Sequence, residues 1–181
     1  MSVVVIGVNH RTSPLQVLEK VSINPADMAK ALHSLSSRNN IREAVVLSTC
    51  NRTEVYAITE KFHAAYADIS DFFCELGGLV PDELNNHLYS QHDDAAITHL
   101  FEVACGLDSA VIGENEILGQ VRDAWTNAQS EGASRSTLNL LFRHALETGK
   151  RARTETGISR STTSISFAAV EMARDLLGTL A

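Results

Sequence analysis

A chain of 181 residues with 44% apolar content is long enough to bury one good core and to add a small second subdomain. Its 15 basic and 22 acidic residues leave a net charge of −7, which excludes a general nucleic-acid coat but not a local basic surface. The three cysteines form no Cys-x-x-Cys pair and no close Cys/His set, so neither a disulfide nor a metal is expected; no stretch approaches a membrane span, no signal peptide is legible, and a soluble cytoplasmic protein with reduced thiols is the expectation.

Ser2 to Asn9 is a β-branched run that predicts a buried opening strand, broken at Ser13-Pro14. Asn24-Pro25 with Asp27 combines a helix cap, a proline in the first helical position and an acidic first turn, which predicts a helix to about Ser37. Two strands are expected over Glu43 to Ser48 and Glu54 to Thr59, separated by the polar, loop-like Thr49-Cys50-Asn51-Arg52. A helix from about His63 to Leu76 stops at Gly77-Gly78, and His87 to Ser90 supplies a short fourth strand. The order βαββαβ predicts an α+β fold of ferredoxin-like type, with antiparallel strands and helices on one face.

From Asp93 onward the pattern is helical. Asp93 or Asp94 caps a helix that stops at Gly106, and further helices are expected over Asn115 to Ser130, Ser136 to Thr154 and Thr163 to Leu177, the last opening a long C-terminal helix. No repeat, low-complexity run or linker is visible. Gly106, Gly113 and Gly119 are too far apart for a Gly-x-Gly-x-x-Gly fingerprint, so no dinucleotide site is expected.

Cys50 is the candidate nucleophile, because it lies where a strand gives way to a turn and has polar neighbours, including the Arg52 guanidinium that favours a thiolate. A lone cysteine is more commonly a small core residue, and Cys74 and Cys105, in the apolar runs Phe72-Phe73-Cys74 and Val103-Ala104-Cys105, fit that description. In extended backbone Arg52 would share a face with Cys50 and its planar fork would suit a carboxylate; a structural pair with Glu54 or Glu43 is the plainer alternative. His99 falls opposite an apolar stripe of Ile97, Leu100, Phe101 and Ala104, so it is either a solvated surface residue or a site residue that polarises a carbonyl or moves a proton.

The segment Gly106 to Gln120 mixes small residues, which allow close approach to backbone, with Glu114, Asn115, Glu116 and Gln120, which can receive an ammonium or hydroxyls; a plain acidic helix start is the alternative. A basic stretch holds Arg143, His144, Lys150, Arg151, Arg153 and Arg160, opposed by Glu147 and Glu155. Lys150, Arg151 and Arg153 can also be read as complementing a helix C-terminus.

Four segments together resemble the glutamyl-tRNA reductase family: Gly7-Val8-Asn9-His10-Arg11-Thr12-Ser13-Pro14, Ser48-Thr49-Cys50-Asn51-Arg52-Thr53-Glu54-Val55-Tyr56, Gly106 to Gln120, and Gly149-Lys150-Arg151-Ala152-Arg153-Thr154-Glu155-Thr156. The resemblance implies a catalytic domain over residues 1–160 and the start of a linking helix over 161–181, with NADPH-binding and dimerisation domains lying beyond. It makes Cys50 the nucleophile and His99 a residue important for activity, and sets Thr49, Cys50, Asn51, Arg52, Ser109, Glu114, Asn115, Glu116 and Gln120 around the glutamyl group. Many relatives have Gln where this chain has Glu116.

The implied chemistry is attack of Cys50 on the activated ester of glutamyl-tRNA, a thioester, and hydride from NADPH to give glutamate-1-semialdehyde for tetrapyrrole synthesis. No metal is implied. Glutamate-1-semialdehyde aminomutase is the implied partner for the product, and the family's homodimer would form through the absent part, leaving this chain a monomer limited to acyl transfer or slow esterase activity. Two alternatives stand beside this reading: a non-catalytic tRNA-binding or regulatory module of the same family, and a cysteine hydrolase using Cys50 and His99.

Overall fold

Branching at Cβ restricts χ1 and favours extended backbone, and the run of valine and isoleucine forms β1 (Ser2–Asn9), the strand on which the domain is built. The computed structural model describes residues 1–158, 170, 172–175 and 178. The strand ends before Ser13-Pro14, as expected, and a six-residue helix that the sequence did not predict, α1 (Leu15–Lys20), starts directly after Pro14. Pro25–Asp27 winds as a tight 3-10 turn before α2 (Met28–Ser36), so the proline begins the helical segment but not the α-helix itself.

Next come β2 (Glu43–Ser48) and β3 (Arg52–Thr59), the latter starting two residues earlier than expected because Arg52 pairs with Asn9. α3 (Phe62–Gly77) ends on left-handed Gly78, as the double glycine predicts. A four-residue helix, α4 (Pro81–Leu84), precedes β4 (Tyr89–His92). β4 lies two residues later than expected, since pairing with Val4 to Gly7 sets its limits and His87 is turned instead to the Thr12 carbonyl. Then follow α5 (Asp94–Cys105), α6 (Glu116–Ser130) and α7 (Ser136–Glu155). The helix expected over Thr163 to Leu177 lies largely outside the described residues, of which 170 and 172–175 are helical.

The strands form one antiparallel sheet in the order β2-β3-β1-β4. Every residue of β3 is buried, so both faces of the sheet are covered, not the single face expected. α2 and α3 cover the face bearing Val4, Ile6, Val55 and Ala57. The other carries Arg52, Glu54 and Tyr56 and meets α5 and α7, where Tyr56 packs edge-on against Phe142 and within ring contact of His99. The later helices are therefore the second cover of the sheet, a placement that helical periodicity does not reveal. No described helix is long and apolar enough to cross a membrane.

Two sequence features lock these helices on. The start of α7 has no side-chain cap of its own; buried Glu43, from β2, accepts the N–H groups of Arg135, Thr137 and Leu138 at 2.9, 3.2 and 2.9 Å. A carboxylate there satisfies orphan donors and meets the positive end of the helix. Gly149 lets α7 approach α5, since a Cβ would stand 2.7 Å from both the Ala104 carbonyl oxygen and Leu118 Cδ1.

Gly149→Ala therefore tests the packing against intrinsic propensity. Alanine favours an exposed helix by about 1 kcal/mol, but the clash should outweigh it, and urea unfolding should show a net loss of about 1–3 kcal/mol.

Candidate active site

The short link between β2 and β3 decides where the thiol sits. Thr49 N–H donates to the Arg52 carbonyl at 2.8 Å, while Thr49 Oγ1 accepts the N–H groups of Asn51 and Arg52, both at 3.2 Å. These bonds close a tight turn with Cys50 exposed near its tip and Arg52 directed into the sheet face. The backbone is thus turned rather than extended between the two, and Cys50 and Arg52 do not share a strand face. Cys74 and Cys105 lie against and within the core, where burial pushes both thiols up.

Behind the turn is a cluster that sequence patterning did not reveal. The Glu54 carboxylate is fully buried on β3. Its Oε1 accepts Arg52 Nη1 at 2.7 Å, His99 Nε2 at 3.0 Å and the Tyr89 hydroxyl; its Oε2 accepts the Tyr56 hydroxyl at 2.6 Å. Burial alone would raise the Glu54 carboxyl, but the His99 bond, the Arg52 charge and the tyrosine hydroxyl outweigh it and hold it at about 2. Burial opposes the Arg52 charge, and Glu54 more than restores it, so the guanidinium is held above its ordinary value. Burial, then the adjoining carboxylate, push both tyrosine hydroxyls well up. Gly7, paired opposite Glu54, leaves room for this arrangement: a Cβ there would stand 2.5 Å from the Thr53 carbonyl oxygen and 2.9 Å from Glu54 Cγ.

His99 is only 6% exposed, so it is not the solvated surface residue that its helix pattern allowed. The buried face of α5 runs through Ala96, His99, Leu100 and Val103, rotated from the expected stripe so that Ile97 and Phe101 fall at its edge. Arg52, 1% exposed on its side chain, joins Glu54 as the structural pair that sequence allowed. It also donates from Nη1 to Asp108 Oδ2 at 3.0 Å and from Nη2 to the Asp108 carbonyl at 2.5 Å. Both terminal nitrogens of Arg52 are thus engaged within the protein.

Asp108 belongs to the loop between α5 and α6. Left-handed Gly106 and Gly113 turn this loop and are joined by a Gly113 N–H bond to the Gly106 carbonyl. The Glu114 carboxylate caps α6, accepting the N–H groups of Glu116 and Ile117 at 2.9 and 3.1 Å, with the Ser109 hydroxyl at 3.5 Å. Arg153 fastens the loop from α7, donating to the carbonyls of Ala104, Gly149 and Glu114 at 2.8–3.0 Å. Arg143, His144, Lys150 and Arg151 of the basic stretch are exposed, whereas Arg153 turns inward; Arg160 lies outside the described residues.

Loop and turn enclose a pocket lined by Thr49, Cys50, Asn51, Arg52, Ser109, Glu114, Glu116, Ile117 and Gln120. Of the expected substrate residues only Asn115 is missing from its wall. His99 is also absent, reaching the pocket through Glu54 and Arg52. The pocket is narrow, about 20 Å³, the space of a single water. A cavity of about 290 Å³ opens elsewhere, between α2 and α3 over Ile23, Phe72 and Leu76, and no cysteine lines it. The described residues include no group of three His, Cys, Asp or Glu side chains able to hold a metal.

Fold and pocket define an α+β domain that presents one exposed thiol beside a buried arginine–carboxylate cluster. The family model described as glutamyl-tRNAGlu reductase, N-terminal domain, matches residues 6–156, and the chain belongs to that family. Glutamyl-tRNA reductases of Frankia alni and Bacillus subtilis are 48% and 43% identical over 99% of this chain, which spans 38% and 40% of their lengths. The solved glutamyl-tRNA reductase from Methanopyrus kandleri superposes with a TM-score of 0.73 at 36% identity, over 98% of this chain and 41% of that one. The chain thus spans about two-fifths of the relatives it matches.

Replacing Glu54 by Gln should lower stability by about 3–5 kcal/mol in chemical denaturation, because it leaves Arg52 buried beside a neutral amide. The unsubstituted carboxylate is held at about 2, below its ordinary 4.5, so its contribution is present above about pH 4.5 and is lost as pH falls toward 2. Acid titration of the variant should lack that component.

Proposed function

We propose that this domain carries the acyl-transfer half of the glutamyl-tRNA reductase reaction, with Cys50 as the nucleophile. What supports this most directly is the exposed thiol in one pocket with Arg52, Ser109, Glu116 and Gln120. The glutamyl side-chain carboxylate would take the Nε edge of Arg52, a planar fork suited to it. Glu116, exposed on the pocket wall, would face the α-ammonium group; Thr49, Asn51 and Gln120 would hold the remaining polar atoms. Glu114 and Asn115 act by setting the start of α6, and His99 acts through Glu54 as a positioning residue.

The Cys50 thiolate attacks the ester carbonyl carbon, a carbon–sulfur bond forms, and the carbon–oxygen bond to the terminal ribose breaks, its oxygen taking a proton. The product is a glutamyl thioester and free tRNA. NADPH, where bound, supplies the hydride that turns such a thioester into glutamate-1-semialdehyde. These residues do not fit a dinucleotide, because no Gly-x-Gly-x-x-Gly turn joins a strand to a helix. The chemistry of the residues described therefore stops at the thioester, and water would release glutamate from it slowly.

The same reading makes residues 1–160 the catalytic domain and 161–181 the start of a linking helix, and the strand order supports a ferredoxin-like core. It makes the domain alone a monomer, places it in the cytoplasm, where three unpaired thiols are at home, and makes the aminomutase the recipient of the full enzyme's product.

Intact mass after brief incubation with glutamyl-tRNA and an acid quench tests the proposal. A hydroxylamine-sensitive glutamyl adduct is expected on the unsubstituted chain and not on Cys50→Ser. A folded, tRNA-binding chain that forms no adduct would instead be a binding module.

A further inference from the structure

Arg52 faces the pocket, but Glu54 touches only one of its terminal nitrogens, and a planar group held at one corner can pivot. The second hold comes from Asp108, whose carboxylate takes Nη1 and whose carbonyl takes Nη2. The carbonyl holds the nitrogen that Glu54 does not touch and so completes the hold on the plane of the guanidinium, while the carboxylate, shared between Nη1 and Arg11, keeps that carbonyl in its place.

Asp108 is itself held. Its other oxygen accepts Arg11 Nη1 at 2.6 Å, with the Asp108 side chain 15% and Arg11 56% exposed. Arg11 stands on a turn built from the first motif: Asn9 Oδ1 accepts the N–H groups of Arg11 and Thr12, and Thr12 Oγ1 accepts that of Asn9. His10 N–H donates to the Asn51 carbonyl at 2.9 Å, which ties the same turn to the Cys50 turn. Three segments distant in sequence thus meet at one carboxylate.

We propose that Asp108, braced by Arg11, is a positioning residue that aims Arg52 at the substrate's side-chain carboxylate and so sets the preference for glutamyl over glutaminyl esters. The proposal rests on the acyl-transfer reading above. An aimed guanidinium makes a charge-assisted pair with a carboxylate that a neutral amide cannot reproduce, whereas a pivoting one distinguishes the two poorly. The motif from Gly7 to Pro14, which the chemistry at Cys50 does not otherwise use, acquires a role as the seat of the brace.

The test is the single-turnover rate of Cys50 acylation by glutamyl-tRNA and by glutaminyl-tRNA, with the melting temperature measured for each variant. Asp108→Ala should lower the glutamyl-to-glutaminyl rate ratio by about tenfold or more, the scale of a lost charge-assisted hydrogen bond. Asp108→Asn, which keeps an acceptor for Nη1, should restore part of the ratio, and Arg11→Ala should reduce it less than Asp108→Ala. Equal slowing of both substrates at an unchanged ratio would overturn the brace and leave Asp108 a fold residue. If Asp108→Ala fails to fold, Asp108→Asn and Arg11→Ala carry the test, and an unsubstituted ratio in both overturns it. Absence of acylation in the unsubstituted chain would overturn the acyl-transfer reading, and the brace with it; an unchanged ratio overturns the brace alone.

Discussion

A single carboxylate, that of Glu54, is the constraint around which the working half of this domain is arranged. An isolated buried carboxylate is strongly unfavourable, and this one persists because four donors from β3, β4 and α5 converge on it. Each donor is thereby held: Tyr56 and Tyr89 over the sheet, His99 on the helix that covers it, and Arg52 by one terminal nitrogen, with Asp108 taking the other. Satisfying one charge aligns two strands and a helix, so the geometry near Cys50 is set from below rather than by the turn alone.

This arrangement also divides the labour among charged groups. Glu54 is too well supplied with donors to serve as a base near neutrality, and His99 is committed to it. The exposed thiol stands apart, at the tip of a turn held by Thr49, where a ligand can reach it. Rigid electrostatics lie in the interior, and the accessible thiol lies at the edge. Arg52 belongs to both regions, with its terminal nitrogens held inside and its side chain lining the pocket.

Local patterning revealed the parts whose cause is local. The valine run of β1, the glycine stop of α3 and the polar turn around Cys50 are written in a few adjacent residues, and the structure has all three. What escaped has a non-local cause. His99 lies on the buried face of α5 because Glu54, 45 residues away, accepts its ring nitrogen. Glu43 looks like a partner for Arg52 but caps α7, 92 residues on, and Asp108 gains its importance only from meeting Arg11 and Arg52 in space. The second cover of the sheet was hidden for the same reason, since periodicity tells which side of a helix is apolar but not which surface receives it.

Gly7 gives the cluster a further property. The position directly opposite Glu54 admits hydrogen and nothing larger, since any Cβ would strike the β3 backbone and the carboxylate's own stem. A residue with no side chain is thereby as narrowly specified as the proposed nucleophile. A laboratory evolution library that spared the pocket but randomised the first strand would lose function at Gly7 from the protected side, and the loss would be indistinguishable in a growth screen from damage to Cys50 itself.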